Sequence, residues 1–559
     1  MNKFARPRRD GFFLIVVLVV IAVATMAAYS FTDTMLAYDE ASHLSSDQVQ
    51  TQAAADSGID AARLALAQPP LMRNEAGGIQ SNPNLFQAIN IVSAADGGRA
   101  CNFTILAPGM DQTGRLGGVR YGLQNESARL NVNALMTLEK NSAAIMPALA
   151  MTGASSLDSG TTDAIASDNL AASLLLALPG MSAEVADCIL DWLDEDDEVR
   201  PNGAEIEYYS TLPTPYKPTN GPIGSVEELL LVRGVTPSLM FGVDANRNGV
   251  VDASEQNQSG VDINSVASLG LAAYITVHGL ESNRRSDGTP RIDINQDDVE
   301  ALFDELSGVV ENQDYATYLA AYRLYGVAAS ASAGGLAGLE NAAGGGQSGG
   351  GDGGGGGKIP WTADAFESID LSAGAAVKFS QMLDVIDSTL TIGQGGSQVT
   401  YTSPFTSDPL QMAAYMPLLM ENFSTQDFET MPGRININDC PAELLLGLPL
   451  IDVETAQAIV EARSEPSDSE NRQYETWPLV EGVVTVAQMR SLLPLVTAGG
   501  DVFRAQVVGY YETSAAATRV EAIIDATTVN PKVIHYRDLS HLGRGFDASI
   551  LGIRNTPLE

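Results

Sequence analysis

The stretch DANRNGVVDASE, Asp244 to Glu255, sets oxygen-bearing side chains at alternate positions around a glycine. Asp244, Asn246 and Asn248 stand at loop positions 1, 3 and 5, Gly249 at 6, the Val250 carbonyl at 7, Asp252 at 9 and Glu255 at 12. Every position of an EF-hand calcium loop is filled. Calcium takes six to eight oxygen ligands at about 2.4 Å, and a glycine-centred turn can wrap that many around one point. The chemistry expected here is cation binding.

A second acidic stretch, DWLDEDDEVRPNGAEIEYY, runs from Asp191 to Tyr209 and holds six acidic residues between Asp191 and Glu198. Runs of like charge usually form a solvated face. Trp192 and Leu193 nevertheless imply a helix docked by its apolar side, with a turn at Gly203 and Ala204. Asp191, Asp194, Asp196, Asp197 and Glu205 are therefore candidates for a second calcium site. Paired carboxylates also serve glycosidases, but aromatic residues make up only 6% of the chain, which does not suggest a sugar cleft. Cys101, Cys188 and Cys440 are far apart, and the four histidines are scattered, so no zinc or nucleophile pattern is legible. The expectation is a protein that is not an enzyme.

These loops must be carried by a large acidic body. The formal net charge of −38 repels phosphate backbones, so nucleic acid is not an expected partner. Ahead of that body, Phe12 to Phe31 is free of charge and follows Lys3, Arg6, Arg8 and Arg9. Roughly 20 apolar residues span a hydrocarbon core of about 30 Å, and basic flanks stay cytoplasmic, so one retained membrane helix with an exported body is expected. A secretory signal has a shorter apolar core of about 7 to 15 residues. Leu36, Leu44, Val49, Ile59, Leu64 and Leu66 continue the pattern as an amphipathic stalk, which Pro69 and Pro70 end.

The remaining organisation reads as strand, helix, strand. Residues 69–133 carry short alternating runs, residues 134–330 are a helical insertion containing the calcium loop, and residues 331–358 are a Gly-rich linker. Residues 359–497 are helical again, and residues 498–559 close with alternating strands. RLNVN at Arg129, RIDIN at Arg291 and RININ at Arg434 repeat one pattern, read as a strand end whose Asn or Asp caps the helix that follows. Leu174 to Leu193 and Leu444 to Arg463 resemble helix-hairpin-helix units, and Leu229 to Gly242 a shorter third. Glu184, Asp452 and Glu454 occupy the helix starts that would otherwise face a phosphate, so packing against protein is favoured over DNA.

The basic leader Arg8 to Phe12, Asp191 to Asp196 with its tryptophan, Gly203 to Glu205, Tyr208-Tyr209 and Arg434 to Asn438 together resemble the K-type minor pseudopilins of type II secretion, general secretion pathway protein K. The resemblance implies an α+β pilin-like fold, with a long N-terminal transmembrane helix on a small antiparallel sheet interrupted by a large helical insertion. It implies residues 1–11 as a leader cut by a prepilin peptidase between Gly11 and Phe12, then residues 12–68 as the membrane and stalk helix. It further implies a place at the tip of a periplasmic pseudopilus anchored in the inner membrane, supporting export of folded proteins. Expected partners are I- and J-type minor pseudopilins and inner-membrane components, and family members bind calcium. Val16, fifth after the cut, stands where most pilin-like subunits carry Glu. Asp10 before the cut, and the added length around Thr276 to Lys358, depart from the family pattern. The alternatives are a type IV pilus or DNA-uptake protein, and a membrane-anchored calcium-binding scaffold.

Overall fold

The computed structural model describes residues 10–93, 99–140, 170–252, 255–256, 268–326, 358–393, 398–465, 469–512 and 516–553. The basic leader before Asp10 and the Gly-rich tract up to Gly357 lie outside the described residues.

One helix runs from Asp10 to Leu66. No proline falls between Asp10 and Leu66, so the helix continues past the apolar segment, and the Pro69-Pro70 pair follows its end. Its apolar first part is exposed, while Asp47, Thr51, Ala54, Ala55, Ile59, Ala62 and Leu66 are buried against a sheet. This corrects the leucine stripe expected from the sequence: Leu36, Leu44, Val49 and Leu64 all face outward. Small residues form the packing face because the helix lies very close to the sheet. A Cβ on Gly58 would meet Val507 Cγ1 at 2.4 Å, and one on Gly509 would meet the Thr51 carbonyl at 2.1 Å.

The sheet is antiparallel, in the order Ile89–Val92, Cys101–Met110, Val502–Tyr511, Ala517–Asp525, Lys532–Asp538. Leu116–Tyr121 adds to the Cys101–Met110 strand, and Gln124–Asn125 to Val502–Tyr511. Chain segments more than 390 residues apart in sequence are thus central neighbours, with Leu106 paired to Gln506. Alternation sends Phe103, Ile105, Phe503, Ala505, Val507, Val520, Ala522 and Ile524 toward the long helix. The other face carries Arg504, Gln506, Arg519, Glu521 and Arg537, whose partners include residues of the intervening region.

Described residues between these strands pack around one larger core that includes Trp192, Trp361 and Trp477. The three Arg-initiated repeats each begin a two-residue strand, and each strand pairs in parallel with a later one. Leu130–Asn131 pairs with Ile275–Thr276, Ile292–Asp293 with Phe423–Ser424, and Ile435–Asn436 with Val496–Thr497. Asn131, Asp293 and Asn436 accept the amide two residues on, closing an Asx turn; only at Asn131 does this cap a short helix, Val132–Ala134. The last Asn of each repeat does more than the sequence reading gave it. Asn133 bonds Ile223 N and O, Asn295 bonds Phe379 N and O, and Asn438 bonds Ala498 O and Trp477 Nε1.

The helical hairpins are present as helix, turn, helix. Leu170–Leu176 leads to Ala183–Leu193, Val226–Leu231 to Pro237–Phe241, and Ala442–Leu446 to Val453–Ser464. Each turn holds one residue at positive φ: Gly180, Gly234 and, without glycine's freedom, Leu450 at 62°. Ser182, Thr236 and Asp452 then cap the following helix. A fourth hairpin, Trp477–Val480 to Val486–Leu492 with Gly482 in the turn and a Thr485 capping box, was not read from the sequence, although LVEGVVT echoes LLVRGVT.

Candidate metal centres

The first centre is built around the helix Ala183–Leu193, whose buried face ends in Asp191, Trp192 and Leu193. Trp192 meets the Tyr209 ring edge-on at 5.1 Å and donates to Glu228 Oε1 at 3.3 Å, which fixes the helix end. The chain leaves at Asp194, turns through Arg200 to Gly203 and returns Glu205 beside Asp191. Gly203 allows the return, since a Cβ there would sit 1.8 Å from Asp191 Oδ2. Oxygens of Asp191, Asp194 and Glu205 lie within 4.8 Å of one another. Asp196 and Asp197 do not join them. Both are exposed, Asp196 accepting from Glu198 N at 2.8 Å and Asp197 from Asn220 Nδ2 at 3.2 Å.

Arg200 is the residue the sequence reading missed, although it lies inside the quoted stretch. Its guanidinium reaches Asp191 Oδ1 at 2.7 Å, also bonds Asp194, and reaches Glu139 Oε2 at 3.1 Å. Glu205 receives no such help. It is 1% exposed, and neither carboxylate oxygen has a hydrogen-bond partner; Asp194 Oδ1 is likewise without one. Burial, followed by the neighbouring Asp191 and Asp194, pushes the Glu205 carboxyl up to about 7. A buried, unpartnered carboxylate costs several kcal/mol, so this donor set of oxygens fits a hard cation.

The second centre is the Asp244 to Glu255 loop, entered after the helix Pro237–Phe241. Arg247 and Gly249 adopt positive φ, 57° and 79°, which curls the chain inward. Asp244 accepts from the amides of Asn248 at 3.1 Å and Gly249 at 2.8 Å. Asn246 Oδ1 accepts from Asn248 N and Asn248 Oδ1 from Val250 N. Glu255 closes across the loop, accepting from the amides of Asn246 and Asp252, each at 3.1 Å. Asp252 Oδ1 accepts from Glu255 N. Asp244, Asn246, Asn248, Asp252 and Glu255 are therefore brought to one curled turn with Val250 between them. Burial, with Glu255 adding repulsion, pushes the Asp244 carboxyl up to about 6. All-oxygen donors at these positions suit calcium by their chemistry.

Cys101, Cys188 and Cys440 are buried free thiols. Phe12 and Val16 lie in the exposed part of the long helix, Val16 at 42% exposure. An 18-residue window of this helix has mean hydropathy 2.8, and it is the one helix among the described residues long and apolar enough to cross a membrane.

Residues 128–242 match the family model described as type II secretion system (T2SS), protein K. Over that segment, well under half of the chain, the protein is similar to the T2SS protein K family. It holds the first Arg-initiated repeat, the Asp191, Asp194 and Glu205 cluster and two of the helical hairpins. The resemblance to minor pseudopilin K read from the sequence is thereby shown. No curated protein matches the chain. A chain in the crystal structure of the GspK-GspI-GspJ complex from the enterotoxigenic Escherichia coli type 2 secretion system is similar at 10% identity and a TM-score of 0.33, covering 90% of this chain and 99% of that one. A likeness that loose carries no weight.

Proposed function

We propose that this chain is a minor pseudopilin of type II secretion that acts at the tip of the pseudopilus, anchored in the inner membrane by its apolar helix with the body in the periplasm. The observation that carries this reading is the T2SS protein K match over residues 128–242 in a chain whose long helix, apolar and exposed in its first part, packs onto a sheet by its second part. The sheet with its helix is the pilin-like part, and the hairpins are helix-hairpin-helix-like packing units of the insertion. A prepilin peptidase removes the leader after Gly11. The role is assembly and support of export, not catalysis.

Calcium belongs to this reading. Asp191, Asp194 and Glu205 would hold one ion, and Asp244, Asn246, Asn248, Val250, Asp252 and Glu255 another. The ion supplies positive charge to carboxylates whose burial is otherwise uncompensated. Arg200 shares that task at the first centre by pairing Asp191 and Asp194, leaving Glu205 as the donor that most needs a cation.

The test is assembly. Co-expressed with I- and J-type minor pseudopilins, the exported body should co-purify as a stoichiometric complex that runs as one species in size-exclusion chromatography. Failure to associate with either would refute the proposed role.

A further inference from the structure

We infer that the Asp244 to Glu255 loop also fastens the helical insertion onto the sheet, so that calcium bound there tightens the docking of one on the other. This rests on the calcium reading of that loop. One short turn, Asn246 to Gly249, receives contacts from three sheet strands and the C-terminal segment. Arg519, on Ala517–Asp525 and fully buried, donates from Nη2 to the carbonyls of Asn246 at 2.6 Å and Arg247 at 3.0 Å. Gln506, on Val502–Tyr511, donates to the Arg247 carbonyl at 3.2 Å. Asn248 Nδ2 donates to the Gly545 carbonyl at 2.5 Å. On Cys101–Met110, Pro108 abuts the turn so closely that a Cβ on Gly249 would lie 2.5 Å from its Cγ.

The loop's geometry links its inside to its outside. Amides of Asn246, Asn248, Gly249 and Val250 are engaged by the loop's own side-chain oxygens, and the carbonyls of Asn246 and Arg247 are engaged by the sheet. The peptide unit joining Arg247 to Asn248 carries both sets, its N–H bonded to Asp244 and Asn246 inside the loop and its carbonyl to Arg519 and Gln506 of the sheet. Without a cation, the carboxylates of Asp244, Asp252 and Glu255 repel and favour an opened turn. Opening moves the two carbonyls that Arg519 uses. Its Nε and Nη1 already lack partners, so a fully buried guanidinium would lose its remaining hydrogen bonds. Arg519 is thus a positioning residue that reads the state of the loop.

Coupling of this kind is reciprocal: whatever calcium does for docking, docking must do for calcium affinity. Hydrogen exchange on the full chain in detergent, with calcium and with chelator, reads the docking. Calorimetric calcium titration reads the affinity. In the wild type, calcium should slow exchange in the loop and also in Val502–Tyr511 and Ala517–Asp525. Arg519→Met should weaken the loop's affinity by about 5- to 100-fold and abolish the calcium-dependent protection of the strands. Gln506→Ala, a milder change that tolerates folding better, should do the same to a smaller extent. Asp244→Ala should abolish the strand protection, and Asp194→Ala should leave it. If both sheet variants bind calcium like the wild type and the strands never respond, the latch is wrong while the calcium site stands. If the wild-type loop binds no calcium, so that Asp244→Ala changes nothing in the titration, the site reading falls and takes the latch with it.

Discussion

Arg504 lies between Glu126 and Glu521, donating from Nε to Glu126 Oε1 at 2.7 Å and from Nη1 to Glu521 Oε2 at 3.0 Å. Glu521 in turn accepts from Arg537 at 2.8 Å, and Arg537 bonds Glu227 of the insertion. Glu126 is itself at the start of the intervening region, where Thr276 also bonds it. The buried face of the sheet is thus held to the rest of the chain by alternating charges.

Acid should dissolve that arrangement. Burial alone would raise the Glu126 and Glu521 carboxyls, but the surrounding arginines outweigh it and hold each at about 2. The folded values lie below the unfolded one, so the stabilisation is complete above about pH 4.5 and is lost as pH falls toward 2. Glu126→Gln should cost about 3–5 kcal/mol at pH 7, because it leaves buried arginines short of counter-charge, and should flatten the acid limb of the stability profile. Denaturant melts from pH 3 to 7 decide. A melting midpoint unchanged by the variant would show that the network contributes nothing.

Asp501 has the opposite sign. Its Oδ2 accepts from Ser282 N at 2.8 Å, yet burial, reinforced by Glu281, pushes its carboxyl up to about 6. A raised folded value means stability is fully present below about pH 4 and is lost as pH rises through 6. Asp501→Asn keeps an acceptor for the Ser282 amide without the charge. It should stabilise by roughly 1–2 kcal/mol at pH 7.5 and by little at pH 4. Equal effects at both values would exclude the charge as the cause.

Much of this was legible in the sequence where spacing alone carries the information. The closing strands, the hairpins and the acidic loops depend on neighbours within about a dozen residues. What escaped depends on distance in three dimensions. The packing face of the long helix is small because Gly58 and Gly509 let it approach the sheet, and nothing local distinguishes those residues from a stalk. Arg200 looked like one charge at the end of an acidic run, and its role appears only when Glu139, Asp191 and Asp194 converge on it. Arg519 sits 272 residues from the carbonyl of Arg247 that it bonds. Asp196 and Asp197 were indistinguishable by type from the acids that do converge.

Calcium should reverse the sign of one substitution. With chelator present, Glu205 bears an unpartnered buried carboxylate, so Glu205→Gln should leave stability unchanged or raise it. With calcium in hundredfold excess over its Kd, an intact site adds about 2.7 kcal/mol, and Glu205→Gln should lose most of that. Asp244→Ala with Glu255→Ala should remove a separate part of the calcium-induced shift in thermal melts. If all three forms shift equally, neither centre binds the ion.

Processing should fall between Gly11 and Phe12. Lys3, Arg6, Arg8 and Arg9 precede that point, and the helix that a cut there would retain runs without a break to Leu66. Intact-mass measurement of the membrane-extracted protein should give a chain beginning at Phe12. A mature chain beginning beyond residue 30 would instead mark the apolar stretch as a discarded signal.

Val16 bears on where the subunit sits. It is the fifth residue after the expected cut, and in the K-type resemblance most other pilin-like subunits carry Glu there, thought to pair with the N-terminal amine of a neighbour. A carboxylate in hydrocarbon costs several kcal/mol unless paired, so Glu is useful only to a subunit that has such a neighbour above it. Val16 needs no partner, which suits the last position of a filament. The body fits the same place, because the region between the sheet strands, built around its own large core, adds bulk that stacked shaft subunits would have to accommodate. Immunogold labelling of overproduced pseudopili should therefore find this protein at one end only, and Val16→Cys crosslinks should form with a limited set of minor subunits. Regular labelling along the shaft would exclude the tip position, whatever the calcium centres do.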